Sequence, residues 1–224
     1  MGELKLVIFD VDGTLVDSLA NIKWAMAVAF EACDLPQPDP DAVRGIIGLS
    51  LPVAMARLAP GASDAAQRAL VLAYSEAFRS EAEARPETTF FPGALQAVQQ
   101  LAEQDEVLLG IATGKSRRGM DRILRTYRLE RLFQTVQVAD NHPSKPHPSM
   151  IETCLADTGT EPHQAVILGD TTFDLEMGRS AGIGTIGVAW GYHDTASLRP
   201  HADMIIDDYA ALDGALQQMW ETRA

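Results

Sequence analysis

Four short stretches bring acidic, hydroxyl and basic side chains to places where chemistry could be done. The first is Asp10-Val11-Asp12-Gly13-Thr14, directly behind the apolar run Leu6-Val7-Ile8-Phe9. Two carboxylates two residues apart can converge on one site once Gly13 turns the backbone. Carboxylates so placed can serve as metal ligand, nucleophile or acid/base. The second is Thr113-Gly114-Lys115-Ser116, behind Val107 to Ala112, where a hydroxyl, a glycine turn and a helix start coincide. A helix start offers free N–H groups to an anion, and no P-loop pattern surrounds this one. The third is Lys145, in Ser144-Lys145-Pro146-His147-Pro148. The prolines stiffen the backbone and seed the next helix, so this ammonium has a defined place. His142 and His147 flank it and read as surface loop residues. The fourth is Gly169-Asp170-Thr171-Thr172-Phe173-Asp174, behind Ala165 to Leu168. Asp170 and Asp174 are four apart and face one pocket if a helix begins between them. With Asp10 and Asp12 they make four carboxylates at one edge, which would repel one another without a hard divalent cation. Oxygen ligands favour Mg2+. A carboxylate nucleophile, a second acid, an anion-binding turn, a lysine and a Mg2+ cluster together describe phosphoryl transfer.

These stretches have to be positioned by a sheet. Leu4 to Asp10, Val107 to Ala112, Ala165 to Leu168 and Thr185 to Ala189 are continuously apolar, as strands buried on both faces are. Shorter strands are predicted at Thr135 to Val138 and Met204 to Ile206. Helical patterns lie between them, at about Ala94 to Glu103, Ser116 to Tyr127, Pro148 to Asp157 and Thr172 to Ala181. The alternation predicts an α/β fold, a doubly wound parallel sheet. One segment breaks it. From Val16 to Arg85 no strand pattern occurs, and helices are predicted at about Leu19 to Ala32, Asp41 to Ile47, Pro52 to Leu58 and Ser63 to Ala84. The expected organisation is a discontinuous α/β core, residues 1–15 and 86–224, carrying a small α-helical insertion, residues 16–85.

The chain has 224 residues and a formal net charge of −13. A polyanion-binding protein normally has the opposite sign, so nucleic acid and anionic membranes are not expected partners. A small anionic ligand in a locally positive pocket stays open. Cys33 and Cys154 lie far apart without a zinc or disulfide pattern, and read as reduced thiols. No signal peptide, myristoylation pattern or membrane-length apolar run is expected, which points to the cytoplasm. Seven bases crowd into residues 115–131, and Arg118, Arg122 and Arg125 share one side of a helix. That stripe reads as a solvated face, or as a contact for an anionic partner or for the acidic C-terminal region of another subunit.

In this order the motifs resemble the haloacid dehalogenase superfamily of phosphohydrolases, over nearly the whole chain. The resemblance implies a Rossmann-like core with an α-helical cap. It implies that Asp10 attacks phosphorus to form an aspartyl-phosphate, and that Asp12 protonates the leaving alcohol and then activates water. It implies Mg2+ held by Asp10, the Asp12 backbone carbonyl, Asp170 and Asp174, and phosphoryl oxygens bound at Thr113, Gly114 and Lys145. A dehalogenase is disfavoured, because the acid/base aspartate used on phosphate esters is present at Asp12. Substrate specificity falls to the cap, where Arg44 could reach a substrate carboxylate and Gly48 lies in the turn from Gly45 to Ser50. Within the superfamily the chain is most similar to phosphoglycolate phosphatases, which implies 2-phosphoglycolate as substrate of a monomer or homodimer. It departs from many of them at Thr113-Gly114-Lys115, where Thr-Asn-Lys is usual. A phosphosugar mutase of the β-phosphoglucomutase type, a pyrophosphatase or a sugar-phosphate phosphatase would share this framework, as would a non-catalytic interaction protein.

Overall fold

The structure, a computed structural model, describes residues 3–84 and 88–223. The chain opens with β1 (Lys5–Phe9) and then runs through four helices: α1 (Leu19–Ala32), α2 (Pro40–Arg44), α3 (Leu51–Leu58) and α4 (Asp64–Ala84). It continues with α5 (Ala94–Ala102), β2 (Val107–Thr113), α6 (Arg117–Tyr127), β3 (Thr135–Val138), α7 (Ser149–Thr158) and β4 (Ala165–Gly169). The last third holds α8 (Thr172–Ser180), β5 (Gly184–Val188), α9 (Thr195–Leu198), β6 (Met204–Ile206) and α10 (Leu212–Arg223). Among the described residues the six strands form one parallel sheet in the order β3-β2-β1-β4-β5-β6. This is the doubly wound α/β architecture that the alternation predicts.

The continuous apolar runs separate by parity, because successive side chains of a strand point to opposite faces. Val7, Phe9, Leu109, Ile111, Val166 and Leu168 face one hydrophobic core. Leu6, Ile8, Ala112, Ala165 and Ile167 face another on the opposite side of the sheet. β1 is central, with Phe9 beside Ile111 of β2 and Leu168 of β4. Strand order reverses there, and an open α/β sheet binds ligands outside the carboxyl ends at such a reversal. Asp10, Thr113 and Asp170 are the residues that leave or end these three neighbouring strands.

The helices between β1 and α5 have an apolar cluster of their own, with Ile22, Met26, Phe30, Met55 and Leu70 at its centre. The two crossings between sheet and helices run side by side. Val16 pairs with Phe90 in an antiparallel bridge, Asp17 N donates to Thr89 O at 2.8 Å, and Phe91 N donates to Leu15 O at 3.0 Å. Val16, placed at the start of the insertion by the sequence, packs into the core under the sheet. The expected junction at 85–86 lies outside the described residues. α1 matches its predicted span at both ends. α2 stops at Arg44 rather than Ile47, because the chain turns through 45–48 to bury Ile46 and Ile47, with Gly48 in the left-handed region at φ 99°. No helix among the described residues is long and apolar enough to cross a membrane.

Candidate active site

Asp10 follows β1 and is 1 % exposed. Asp170 and Asp174, after β4 and in the first turn of α8, are fully buried beside it. One carboxylate oxygen from each of the three lies within 4.8 Å of the others. Gly13, at φ 89°, makes the approach possible: a Cβ there would collide with the Asp170 carboxylate. Asp170 is held by Thr14 Oγ1, which donates to Oδ1 at 3.0 Å, and by Tyr192 N, which donates to Oδ2 at 2.9 Å. Asp174 Oδ2 accepts from Thr171 N at 3.1 Å and Thr171 Oγ1 at 2.7 Å.

The Lys145 ammonium sits against this cluster, 2.7 Å from Asp10 Oδ1 and 2.5 Å from Asp174 Oδ1. Burial on its own would lower the lysine's pKa, yet the two carboxylates raise it above the ordinary value. Burial pushes Asp10 up to about 7 in spite of Lys145. Asp170 is also pushed well up, by burial first and then by Asp174 and Asp10. The charge balance of the cluster is therefore short of cations. Asp10 Oδ2 is buried without a hydrogen-bond partner. Three carboxylates, one with an oxygen unengaged, form an all-oxygen donor set that fits a hard divalent cation.

Asp12 takes a different direction. Its carboxylate pairs with Lys115 Nζ at 2.7 Å, accepts from Ser18 Oγ and lines a cavity of about 590 Å³. Its side chain therefore turns away from the other three carboxylates. Thr113 is fully buried at the end of β2. Gly114 meets the opposite lobe: a Cβ there would lie 2.6 Å from Gly48 O and 2.9 Å from Leu49 O. Gly48 and Gly114 both line the cavity. Ser50 N donates to Ser144 Oγ at 2.9 Å, beside Lys145.

Arg44, expected at a substrate carboxylate, donates through Nε to Tyr192 O at 2.6 Å and through a terminal nitrogen to Gly191 O at 3.3 Å. Its fork is taken by the backbone that also feeds Asp170. The sequence reading passed over Lys115, Ser18 and Tyr192 as site residues. Lys115 stood next to the phosphate-binding turn, and Gly191-Tyr192 just past β5, which were the available signals. Of the histidines, His142 is engaged with Ser149 Oγ and Gln137 Oε1, both at 2.9 Å.

Comparison with known proteins agrees with this geometry. Residues 7–188 match the family model described as haloacid dehalogenase-like hydrolase. The Probable phosphatase IndB of Dickeya dadantii is 35 % identical over 214 residues, covering 94 % of this chain and 92 % of its own. A phosphoglycolate phosphatase of Haemophilus influenzae is 29 % identical over 220 residues, covering 94 % and 97 %. A solved haloacid dehalogenase-like hydrolase from Streptococcus pneumoniae superposes with a TM-score of 0.82 at 26 % identity, over 97 % of this chain and 100 % of that one. With a buried carboxylate cluster at the strand-order reversal and matches over nearly its whole length, the chain belongs to the haloacid dehalogenase-like hydrolases, as one of their phosphatases.

Proposed function

We propose that the chain is a Mg2+-dependent phosphatase that hydrolyses a small phosphorylated metabolite through an aspartyl-phosphate on Asp10. In this reading residues 1–15 and 86–224 are the catalytic core and 16–85 the cap. The observation that carries it is the unpartnered Asp10 Oδ2, buried at the centre of three converging carboxylates with an ammonium beside them. Asp10, Asp170, Asp174 and the Asp12 backbone carbonyl would hold the metal. When bound, Mg2+ neutralises charge on the phosphoryl oxygens.

The remaining work falls to side chains. Asp10 attacks phosphorus in line with the departing oxygen. Lys145 neutralises the closed end of the site, and Thr113 with the Gly114 backbone binds the phosphoryl oxygens. Asp12 protonates the leaving alcohol and then takes a proton from the attacking water. Its place on the cavity wall, where Asp10 is absent, supports that division. Lys115 and Ser18 hold its carboxylate in one orientation. The helical lobe closes over the site and excludes water. Two free thiols suit the cytoplasmic location expected from the sequence. Relatives named phosphoglycolate phosphatase make 2-phosphoglycolate the first metabolite to assay.

With Mg2+ the protein is expected to hydrolyse para-nitrophenyl phosphate, and EDTA to stop it. Asp10→Asn is expected to lower kcat more than about a thousandfold. Phosphate release that survives Asp10→Asn would refute the nucleophile assignment.

A further inference from the structure

We infer that Arg44, which belongs to the helical lobe, is a positioning residue for the proposed metal site in the core. It fixes the backbone that orients Asp170, so that docking of the lobe and binding of the metal strengthen each other. The inference rests on the metal-dependent phosphatase reading and adds a link between that site and the lobe.

The link is a single peptide group. Arg44 is the last residue of α2, and its terminal nitrogen donates to Gly191 O at 3.3 Å. The N–H of that same peptide group, Tyr192 N, donates to Asp170 Oδ2 at 2.9 Å. The bond is trans, so the group is planar and its C=O and N–H point in opposite directions. It therefore sits between a guanidinium on one side and the Asp170 carboxylate on the other, and a tilt at one end moves the other. Arg44 Nε pins the plane further by donating to the next carbonyl, Tyr192 O, at 2.6 Å. A charged donor on the carbonyl also polarises the amide, which makes its N–H a stronger donor to the carboxylate.

The neighbouring residues hold the same site. Gly191 lies so close that a Cβ there would be 2.0 Å from the Asp170 Cβ. His193 N donates to Asp170 O at 3.3 Å. His193 Nδ1 accepts from Thr172 N at 3.2 Å, at the start of the helix that carries Asp174. The Tyr192 side chain packs in the apolar cluster of the lobe, and its hydroxyl accepts from Ser18 N at 2.8 Å, where the chain enters α1. Residues 191–193 thus support two proposed metal ligands on one side and meet the lobe on the other. With the lobe displaced, both carbonyls lose the guanidinium, and the plane that donates to Asp170 is free to tilt. Whatever docking lends to metal binding, metal binding must return to docking, because coupling between two binding equilibria is reciprocal.

Mg2+ alone is the probe, titrated calorimetrically into the full-length protein without substrate, with amide exchange followed in parallel. Arg44 is exposed, so replacing it opens no cavity in the core. Arg44→Gln is expected to weaken Mg2+ binding at least fivefold. Arg44→Lys is expected to weaken it at least twofold, because an ammonium lacks the planar fork that spans both carbonyls. In the unaltered protein Mg2+ is expected to slow exchange at Ser50, whose N–H is bound to Ser144 Oγ across the two lobes. In Arg44→Gln that slowing is expected to be lost. A role confined to holding the fold would lower Tm in EDTA and leave both metal readouts in place. Weakening below these factors, or Mg2+-induced slowing at Ser50 that persists in Arg44→Gln, overturns the inference. The phosphatase reading then still stands on Mg2+ binding and para-nitrophenyl phosphate hydrolysis by the unaltered protein. An unaltered protein that binds no Mg2+ overturns the metal-dependent reading, and the inference with it.

Discussion

Lys145 places one ammonium against two of three buried carboxylates, 2.7 Å from Asp10 and 2.5 Å from Asp174. It is 2 % exposed, so water does little to relieve either partner when the lysine is lost. Removing one member of a buried ion pair costs about 3–5 kcal/mol, because the other charge stays buried alone. Lys145→Gln is therefore expected to lower Tm by roughly 10 °C, at about 2–4 °C per kcal/mol for a chain of this size. The same substitution raises the cluster's demand for positive charge. Added MgCl2 is then expected to recover more Tm in the variant than it adds to the unaltered protein, since a ligand that binds only the folded state stabilises it. Thermal unfolding with and without MgCl2 measures both. Equal metal-induced shifts in the two proteins would show that Mg2+ binds somewhere other than this cluster.

At the scale of elements, the turn after α2 has to pass over the loop after β2 with almost no clearance. The contact is backbone against backbone: Gly48 O and Leu49 O face the place where a Cβ of residue 114 would sit. Carbonyl groups cannot rotate away as a side chain can, so Gly114→Ala has to displace the 48–49 backbone. Overpacking of this kind costs about 1–3 kcal/mol, and it falls on the closed arrangement of the two lobes. Gly114→Ala is expected to lower kcat/KM by about tenfold or more and to speed amide exchange at Ser50, whose N–H is bound to Ser144 Oγ. Unchanged kinetics and exchange would show that the turn does not rest on Gly114 in solution. The departure from Thr-Asn-Lys at this position thus has a physical reading that motif comparison alone lacks. Much of the remaining frame was legible locally. β1 and β4 are continuous apolar runs ending in acids, and α1 is bounded as its pattern predicts. The helical spacing of Leu212, Ala215, Leu216 and Met219 marks α10 as well, though no helix was expected there. What was not legible is long-range. Arg44 meets the carbonyls of Gly191 and Tyr192 across about 150 positions, and Ser18 meets Tyr192 across 174. No periodicity in the chain encodes such pairings. The same holds for Asp12, whose spacing from Asp10 says that they are close but not that its carboxylate turns to Lys115.

At the scale of the whole molecule, two fields of opposite sign act on an anionic substrate. The chain as a whole carries −13, while the cavity beside Asp12 is lined by five bases and two acids among its described residues. Which field a substrate feels depends on the screening length. At about 0.01 M ionic strength the Debye length is roughly 30 Å, so acids across most of the molecule repel the approaching anion. At about 0.1 M it is roughly 10 Å, and the cavity wall is then the main field the substrate meets at the mouth. Near 1 M it shrinks to about 3 Å and the wall is screened as well. For an anionic phosphate ester, kcat/KM is expected to rise over the first tenfold increase in salt and to fall over the next. A steady-state series with a fixed Mg2+ concentration reads this directly. A rise that never turns over would mean that the bases lining the cavity exert no net attraction on the substrate. A fall from the lowest salt onward would mean that the distant acids are not felt, and that the cavity alone sets the encounter.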